Sequence, residues 1–500
     1  MARQQEFFSS RWALVLAALG MAIGTGNIWR FPRILADNGG GAFLVPWLIF
    51  LFLWSIPLLI TEMAIGKKAR VGPVGAIGSI IGQKYAWMGG FVAFCTIAIM
   101  FYYSVVAGWC LNYMVESVSG GLAGVDGPVY WEGLMDSPGR TVFFHLISIS
   151  IGAFIIGRGI TGGVEKATKL LIPALFVLLI IAFIRGVTLD GGLNGLEFLF
   201  SPNWSSLTDY KVWLNALTQS AWSTGAGWGL IMTYAVYMRK KEDFALNSFI
   251  TGLGNNSASL LAALVIFPAV FALAAQPETL ISNPGPASTG LTFIYIPELF
   301  NEMPYSRVFL FIFFLALAIA AISSLIAMIE LAVRSLMDFG WSRKKSTLFV
   351  WLIAFVLGAP SAIDIDFFQR QDWAWGVGLL LSGFFVAFTA IKYGVSKFRE
   401  QLVNVKENDI HIGKWYEIAI KYLIPIQFIV LIGWWFYQIF PTSTPEAPLS
   451  FGERLWQWFD PTGVFSMGTC LVHWGVIIAL FMIFNKKIHK NVQENREAAA

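Results

Sequence analysis

The 500-residue chain is 57% hydrophobic and only 13% charged, too apolar and too charge-poor to clothe an ordinary soluble surface. A formal net charge of +4 offers no basic field for a nucleic acid. The histidines His145, His411, His473 and His489 are scattered, so neither a Ser-His-Asp nor a His-Glu-x-x-His arrangement is present. What fits is a lipid-facing surface. Apolar blocks of bilayer-crossing length recur along the chain, and each must be helical because lipid offers the backbone no hydrogen-bond partner.

In chain order, spans are predicted near 11–36, 41–66, 87–117, 141–157, 166–186, 212–238, 244–274, 306–336, 347–363, 373–396, 416–440 and 465–486, twelve in all. The polar stretch 1–10 precedes a first block that carries Gly, Asn and Arg, unlike the uniform apolar region of a cleavable signal. Long connections at 118–140, 187–211, 275–305 and 441–464 are rich in Gly, Pro, Asp and Trp. Lys67, Lys68, Arg70 and Lys84, then Arg239 to Lys241, then Arg343 to Lys345, mark alternate connections as cytoplasmic, which puts both termini there. The charged tail 487–500 is expected to be mobile. Cys95, Cys110 and Cys470 fall inside apolar segments and read as core residues.

Two spans carry glycine clusters midway, Gly20, Gly24 and Gly26 in the first and Gly225, Gly227 and Gly229 in the sixth. Interrupted segments in corresponding positions of two halves point to an inverted repeat with a binding site at the bilayer midplane. Small residues alone would equally let helices pack closely. The polar neighbours Asn27 and Arg30, and Gln219, Ser220 and Ser223, favour a site, because such side chains need partners inside a membrane. Unwinding Ala22 to Asn27 would free carbonyls for a cation and amide N–H groups for a carboxylate.

Residues 20–43, GMAIGTGNIWRFPRILADNGGGAF, resemble the first span and following turn of the neurotransmitter:sodium symporters, including their bacterial leucine-transporter-like members. The likeness extends through Tyr102-Tyr103, GGVEKATKLLIPALF from Gly162, the segment from Gln219, NNSASLLAALVIF from Asn255 and AAISS from Ala320. It implies an all-α polytopic fold: a ten-helix inverted-repeat core over 11–400 with spans one and six unwound, two more helices over 401–486, and a cytoplasmic tail. The implied activity is sodium-coupled import of a small amino-acid-like solute by alternating access.

Carried over position by position, one sodium site would use the carbonyl of Ala22, the side chains of Asn27 and Asn255, Ser223 and the solute's carboxylate. A second would use the carbonyls of Gly20, Ile23 and Ala320 with the hydroxyls of Ser323 and Ser324, although an arbitrary serine pair more often bonds back to its own helix. Monoamine members place an aspartate where this chain has Gly24, so the solute is expected to bring its own negative group. The amides of Thr25 and Gly26 and the Tyr103 hydroxyl would hold it, with the amine near Ala22, the span-six break and Ser324. Ile99, Tyr103, Trp222, Gly225, Trp228 and Met328 would line the side-chain pocket, Trp222 as its lid. Family members generally carry smaller residues where the two tryptophans stand. A cation–π cage for a methylated amine is one reading; apolar packing is the favoured one.

The resemblance also implies an outer charged pair, Arg30 and Asp372, and an inner gate with Asp338 and Tyr237. There Gln5 and Phe8 replace the usual Arg and Trp, with Arg3 as substitute. Chloride-independent bacterial members carry an acid on span seven where this chain has Ser259. With Gln219, Ser223 and Asn255, Ser259 resembles most of a chloride site, whose remaining donor, normally a tyrosine, is Trp47. Two sodium ions, with chloride as an optional third, are therefore the expected ions. An ion channel is the rival from another class, but its pore would need symmetry or a continuous polar lining that the sequence lacks. The connection 118–140 lacks the paired cysteines of animal members, which points to a prokaryotic inner membrane. A homodimer is compatible with the sequence and not required by it.

Overall fold

The computed structural model describes residues 6–285, 289–444 and 448–498, and is helical with no strand among them. Among the described residues, nine continuous helices are long and apolar enough to cross a membrane: Gly40–Ala69, Gln83–Ser119, Pro138–Gly157, Ile160–Val187, Ala245–Leu273, Ser306–Asp338, Arg343–Ile363, Ile365–Tyr393 and Trp415–Gln438. Span one is Arg11–Ala22 followed by Thr25–Asp37, bent by 67°. Span six is Tyr210–Ser223 followed by Leu230–Ala235, and span twelve is Met467–Ile483. Together these are the twelve spans expected.

Helix ends follow local chemistry. Ser10, Asp209 and Ser466 cap spans one, six and twelve by accepting from Ala13, Lys211 and Thr469 N–H. The most apolar stretches of spans three, eight and ten are 78% buried against protein, those of spans five and eleven 28%. The former therefore make the centre of the bundle, while the latter leave most of their surface to lipid. The long connections are not bare loops: Gly127–Met135, Gly192–Phe200 and Phe451–Phe459 are short helices. So is Pro73–Ile81, between spans two and three, which periodicity over nine residues was too short to reveal.

The tail departs from expectation. After a 62° bend, residues Asn485–Glu497 form a helix, not a mobile segment. Val492 is fully buried and faces Gly75 of the helix Pro73–Ile81, where a Cβ would meet its Cγ1. Gln493 Nε2 donates to Ser79 Oγ at 2.6 Å, and Asn485 Nδ2 to the Gln83 carbonyl at 2.8 Å. The charge that suggested mobility lies on the outward face, and one valine with two amides does the docking. Gly75→Leu should overfill this contact by about 1–3 kcal/mol. The expected result is faster tryptic cleavage at Lys486, Lys487 and Lys490 than in the native protein, measured on folded material in detergent.

Candidate functional site

Span six breaks where its glycines demand it. Gly225, Gly227 and Gly229 have φ of 66°, 78–87° being the range of the latter two, a left-handed backbone that only glycine adopts without penalty. A break inside a membrane leaves amide groups that water cannot reach. Glu62 of span two supplies the partner: its carboxylate, fully buried, accepts from Gly227 N–H at 2.9 Å and Gly229 N–H at 2.6 Å. On the other side the Gly227 carbonyl accepts from Ser382, and the Trp228 carbonyl from Thr96.

Span one breaks differently. Ile23 and Gly24 have φ of −80° and −107°, ordinary extended backbone. Gly24 is needed for space: a Cβ would lie 3.1 Å from Ser324 Oγ and 3.2 Å from the Tyr103 hydroxyl oxygen. Thr25 and Gly26 begin the next half-helix, so their N–H groups find no partner within it. Thr25 offers its N–H and its hydroxyl to the Tyr103 oxygen, each at 3.3 Å. Two of the predicted carboxylate-binding groups, Thr25 and the Tyr103 hydroxyl, thus meet, and Gly26 lines the same cavity.

Both expected sodium-ligand sets come together. The Asn255 side-chain amide lies 3.1 Å from the Ala22 carbonyl oxygen and 3.0 Å from that of Ser223. Asn27 Nδ2 donates to Ser223 Oγ at 3.2 Å, to Asn255 Oδ1 at 2.8 Å and to Ser259 Oγ at 2.7 Å. Asn27 Oδ1 meanwhile accepts from Gly24 N–H at 2.9 Å and steadies the break. In the second set, Ser324 Oγ is 3.3 Å from the Gly20 carbonyl and 3.4 Å from that of Ile23. Ser323 bonds back to the Ala320 carbonyl at 3.0 Å, the arrangement expected of a helical serine without a ligand.

Of the remaining residues expected around an anion, the Trp47 Nε1–H donor and the Gln219 Oε1 acceptor are buried and make no hydrogen bond among the described residues. Trp47 instead lays its ring on Phe31, with centroids 4.3 Å apart.

One cavity of about 420 Å³ runs from Ala22, Gly24 and Tyr103, past Ile99, Trp228, Gly225 and Met328, to Trp222 and on to Arg30, Asp372 and Phe465. Phe465 precedes span twelve, whose other end carries the tail, so the cavity continues toward the end of the bundle remote from the termini.

The expected pair at that end is not joined. Among the described residues no ion pair within 4 Å links Arg30 to Asp372; Arg30 lies over the Trp222 ring at 4.1 Å, while Asp372 accepts from Tyr102. At the other end, Asp338 pairs with Arg334 at 2.8 Å and accepts from Gly72 N–H at 2.6 Å. Tyr237 donates to Glu330 at 2.5 Å, and Arg343 bridges Glu330 and Glu6 at 2.6 and 2.8 Å. Phe8 is buried edge-on to Tyr234, and its N–H donates to the Tyr237 carbonyl. Arg3 and Gln5 lie outside the described residues. Nearby, Arg11 contacts Asp243 and Asp409, and its hydrogen bond holds the Asp409 carboxyl below the usual carboxylate range.

Sequence reasoning missed Glu62, Glu330 and Arg343. An acid at position 62 within an otherwise apolar span was the available signal for the first. Arg343 was counted only as a positive charge setting orientation.

The model of the sodium:neurotransmitter symporter family matches residues 5–133 and 133–487. An uncharacterized sodium-dependent transporter of Methanocaldococcus jannaschii is 32% identical over 440 residues, covering 85% of this chain and 89% of that protein. The uncharacterized sodium-dependent transporter YhdH of Bacillus subtilis is 29% identical over 446 residues, covering 85% and 96%. The crystal structure of MhsT in complex with L-phenylalanine matches with a TM-score of 0.74 at 30% identity, over 86% of this chain and 99% of that one. With twelve spans, two of them broken around a shared cavity, and a family match over nearly its whole length, the chain belongs to the sodium:neurotransmitter symporter family, membrane transporters and not enzymes.

Proposed function

We propose that this sodium-dependent symporter imports a small amino acid, or a similar amine bearing a carboxylate, with two sodium ions and with chloride as a further co-ion. The observation that carries the reading is the space at Gly24 beside Tyr103 and Ser324, at the start of a half-helix whose first amides, those of Thr25 and Gly26, have no partner within the helix. Donors converge there with no acidic side chain to meet an amine, so the solute's own carboxylate supplies the charge. That carboxylate completes the first sodium shell with Ala22, Asn27, Ser223 and Asn255, while Gly20, Ile23, Ala320, Ser323 and Ser324 hold the second ion.

Burial of these charges together costs far less than burial of any one alone, which couples solute to sodium. An apolar side chain suits the pocket of Ile99, Gly225, Trp228 and Met328, and the related MhsT was crystallised with L-phenylalanine. A quaternary-amine cage is disfavoured because Arg30 already occupies a face of Trp222.

Spans one, two, six and seven rocking against the others would alternate access. Glu62, bonded to both Gly227 and Gly229, makes span two and the span-six break move as one. The end carrying the termini is assigned to the cytoplasm from its lysines and arginines, with the cavity reaching the outside.

Uptake into proteoliposomes should disappear when choline replaces sodium, and Asn27→Ala or Ser323→Ala should abolish it in sodium. Full transport without sodium would defeat the assignment. Tyr103→Phe should weaken binding by about 1–3 kcal/mol by removing a buried polar contact. In the same competition assay, decarboxylated amines should fail to displace a bound amino acid; an amine that competed better than its parent acid would refute the carboxylate site. Replacing chloride by gluconate should lower uptake, and Ser259→Glu should restore it without chloride. Equal uptake in both salts would leave Trp47 and Gln219 without an anion to bind.

A further inference from the structure

The cavity is not confined to the ten helices of the two repeats. Span eleven leaves most of its surface to lipid, yet it sends Trp435 into the cavity wall, joined there by Ile439 just past its end. The Trp435 ring lies parallel to that of Trp222, with centroids 6.0 Å apart and planes inclined by 13°. It also meets Trp373 at 5.6 Å and 61°, and Trp373 is itself fixed, its Nε1 donating to the Ser466 carbonyl at 2.9 Å. The far edge of Trp222 rests on Gly376 of span ten, where a Cβ would come within 2.7 Å of Cη2.

The indole N–H groups of Trp222 and Trp435 are buried and make no hydrogen bond among the described residues. No polar contact of either indole therefore sets the Trp222 ring; Arg30, the Gly376 surface and the stack on Trp435 do. With Trp222 so placed, the cavity is continuous from Tyr103 to Asp372.

We propose that Trp435 parks the Trp222 lid in its open position and is a positioning residue of the gate, contributed by a helix outside the repeats. The inference rests on the reading of Trp222 as the lid of the pocket. Offset stacking at this separation is an attractive aromatic geometry. To cover the pocket, Trp222 must leave Trp435, and Arg30 is then released from the face of its ring toward Asp372. Loss of the Trp435 ring removes a partner from the open position only, so the lid should close more of the time even with no solute present.

A cysteine below the lid reports this without any substrate. In an Ile99→Cys protein, modification by a cationic methanethiosulfonate reagent in sodium measures lid opening; the native Cys95, Cys110 and Cys470 are buried, and the chain without Ile99→Cys gives the background. Trp435→Ala should slow modification by about 2- to 10-fold, the range of an aromatic pair. Trp435→Phe, which keeps a stacking ring, should return most of the rate and shows that the position tolerates change. In a Trp222→Ala background, modification should be fast and Trp435→Ala without effect. Equal rates with and without Trp435→Ala, or equal slowing in the Trp222→Ala background, would overturn the proposal. If Trp222→Ala itself left the rate unchanged, Trp222 would not be the lid, and the role of Trp435 would fall with it.

Discussion

The arrangement depends on satisfying a backbone that has been broken inside a membrane. Span six surrenders its helical hydrogen bonds over Thr224–Gly229, and in lipid each unmet group would cost several kcal/mol. Glu62 answers two of the amides and Ser382 and Thr96 two of the carbonyls. These partners come from spans two, ten and three, so the break is held from several sides. A charged residue buried among apolar helices is ordinarily a liability. Here two hydrogen bonds to fixed backbone donors offset part of that cost and define where the span turns.

The two breaks use glycine for opposite reasons. In span six the backbone turns left-handed, and the glycines serve conformation. In span one the backbone is extended, and Gly24 serves emptiness, leaving room beside Tyr103 and Ser324. A side chain at the first break would fill the site; at the second it would reshape the path of the chain. The same residue type therefore supports the path of the chain in one repeat and open space in the other.

Much of this was legible in the sequence because it is written in local patterns. Twelve apolar blocks, the paired glycine clusters and the residues from Ala22 to Asn27 declare themselves within short windows. The serine and asparagine side chains proposed as ion ligands became legible only through family likeness, since Ser323-Ser324 alone says no more than a serine pair. What escaped was long-range or set by a single contact. Glu62 acquires its meaning from glycines in another span, Arg343 from Glu330 and Glu6, and the tail helix from the notch at Gly75. Arg30 and Asp372, expected as an outer charged pair, both line the cavity, but among the described residues no ion pair joins them and Arg30 lies over the Trp222 ring instead, a placement no motif encodes.

The docked tail bears on how motion can be accommodated at the C-terminal end of span two. Helix Pro73–Ile81 is gripped by Val492 and Gln493, while Gly72 is bonded to Asp338 of span eight. Between that anchored helix and span two stands Arg70, at φ 58°, a left-handed conformation that a non-glycine residue seldom adopts. It is held by its own side chain on the Val236 carbonyl at 3.0 Å and by Arg334 on its carbonyl at 3.1 Å. If span two tilts with span six while the helix beyond stays clamped, the dihedral change is confined to Arg70–Gly72. Those three residues are then a hinge whose stiffness is set by two arginines, and the C-terminus fixes the frame against which it bends.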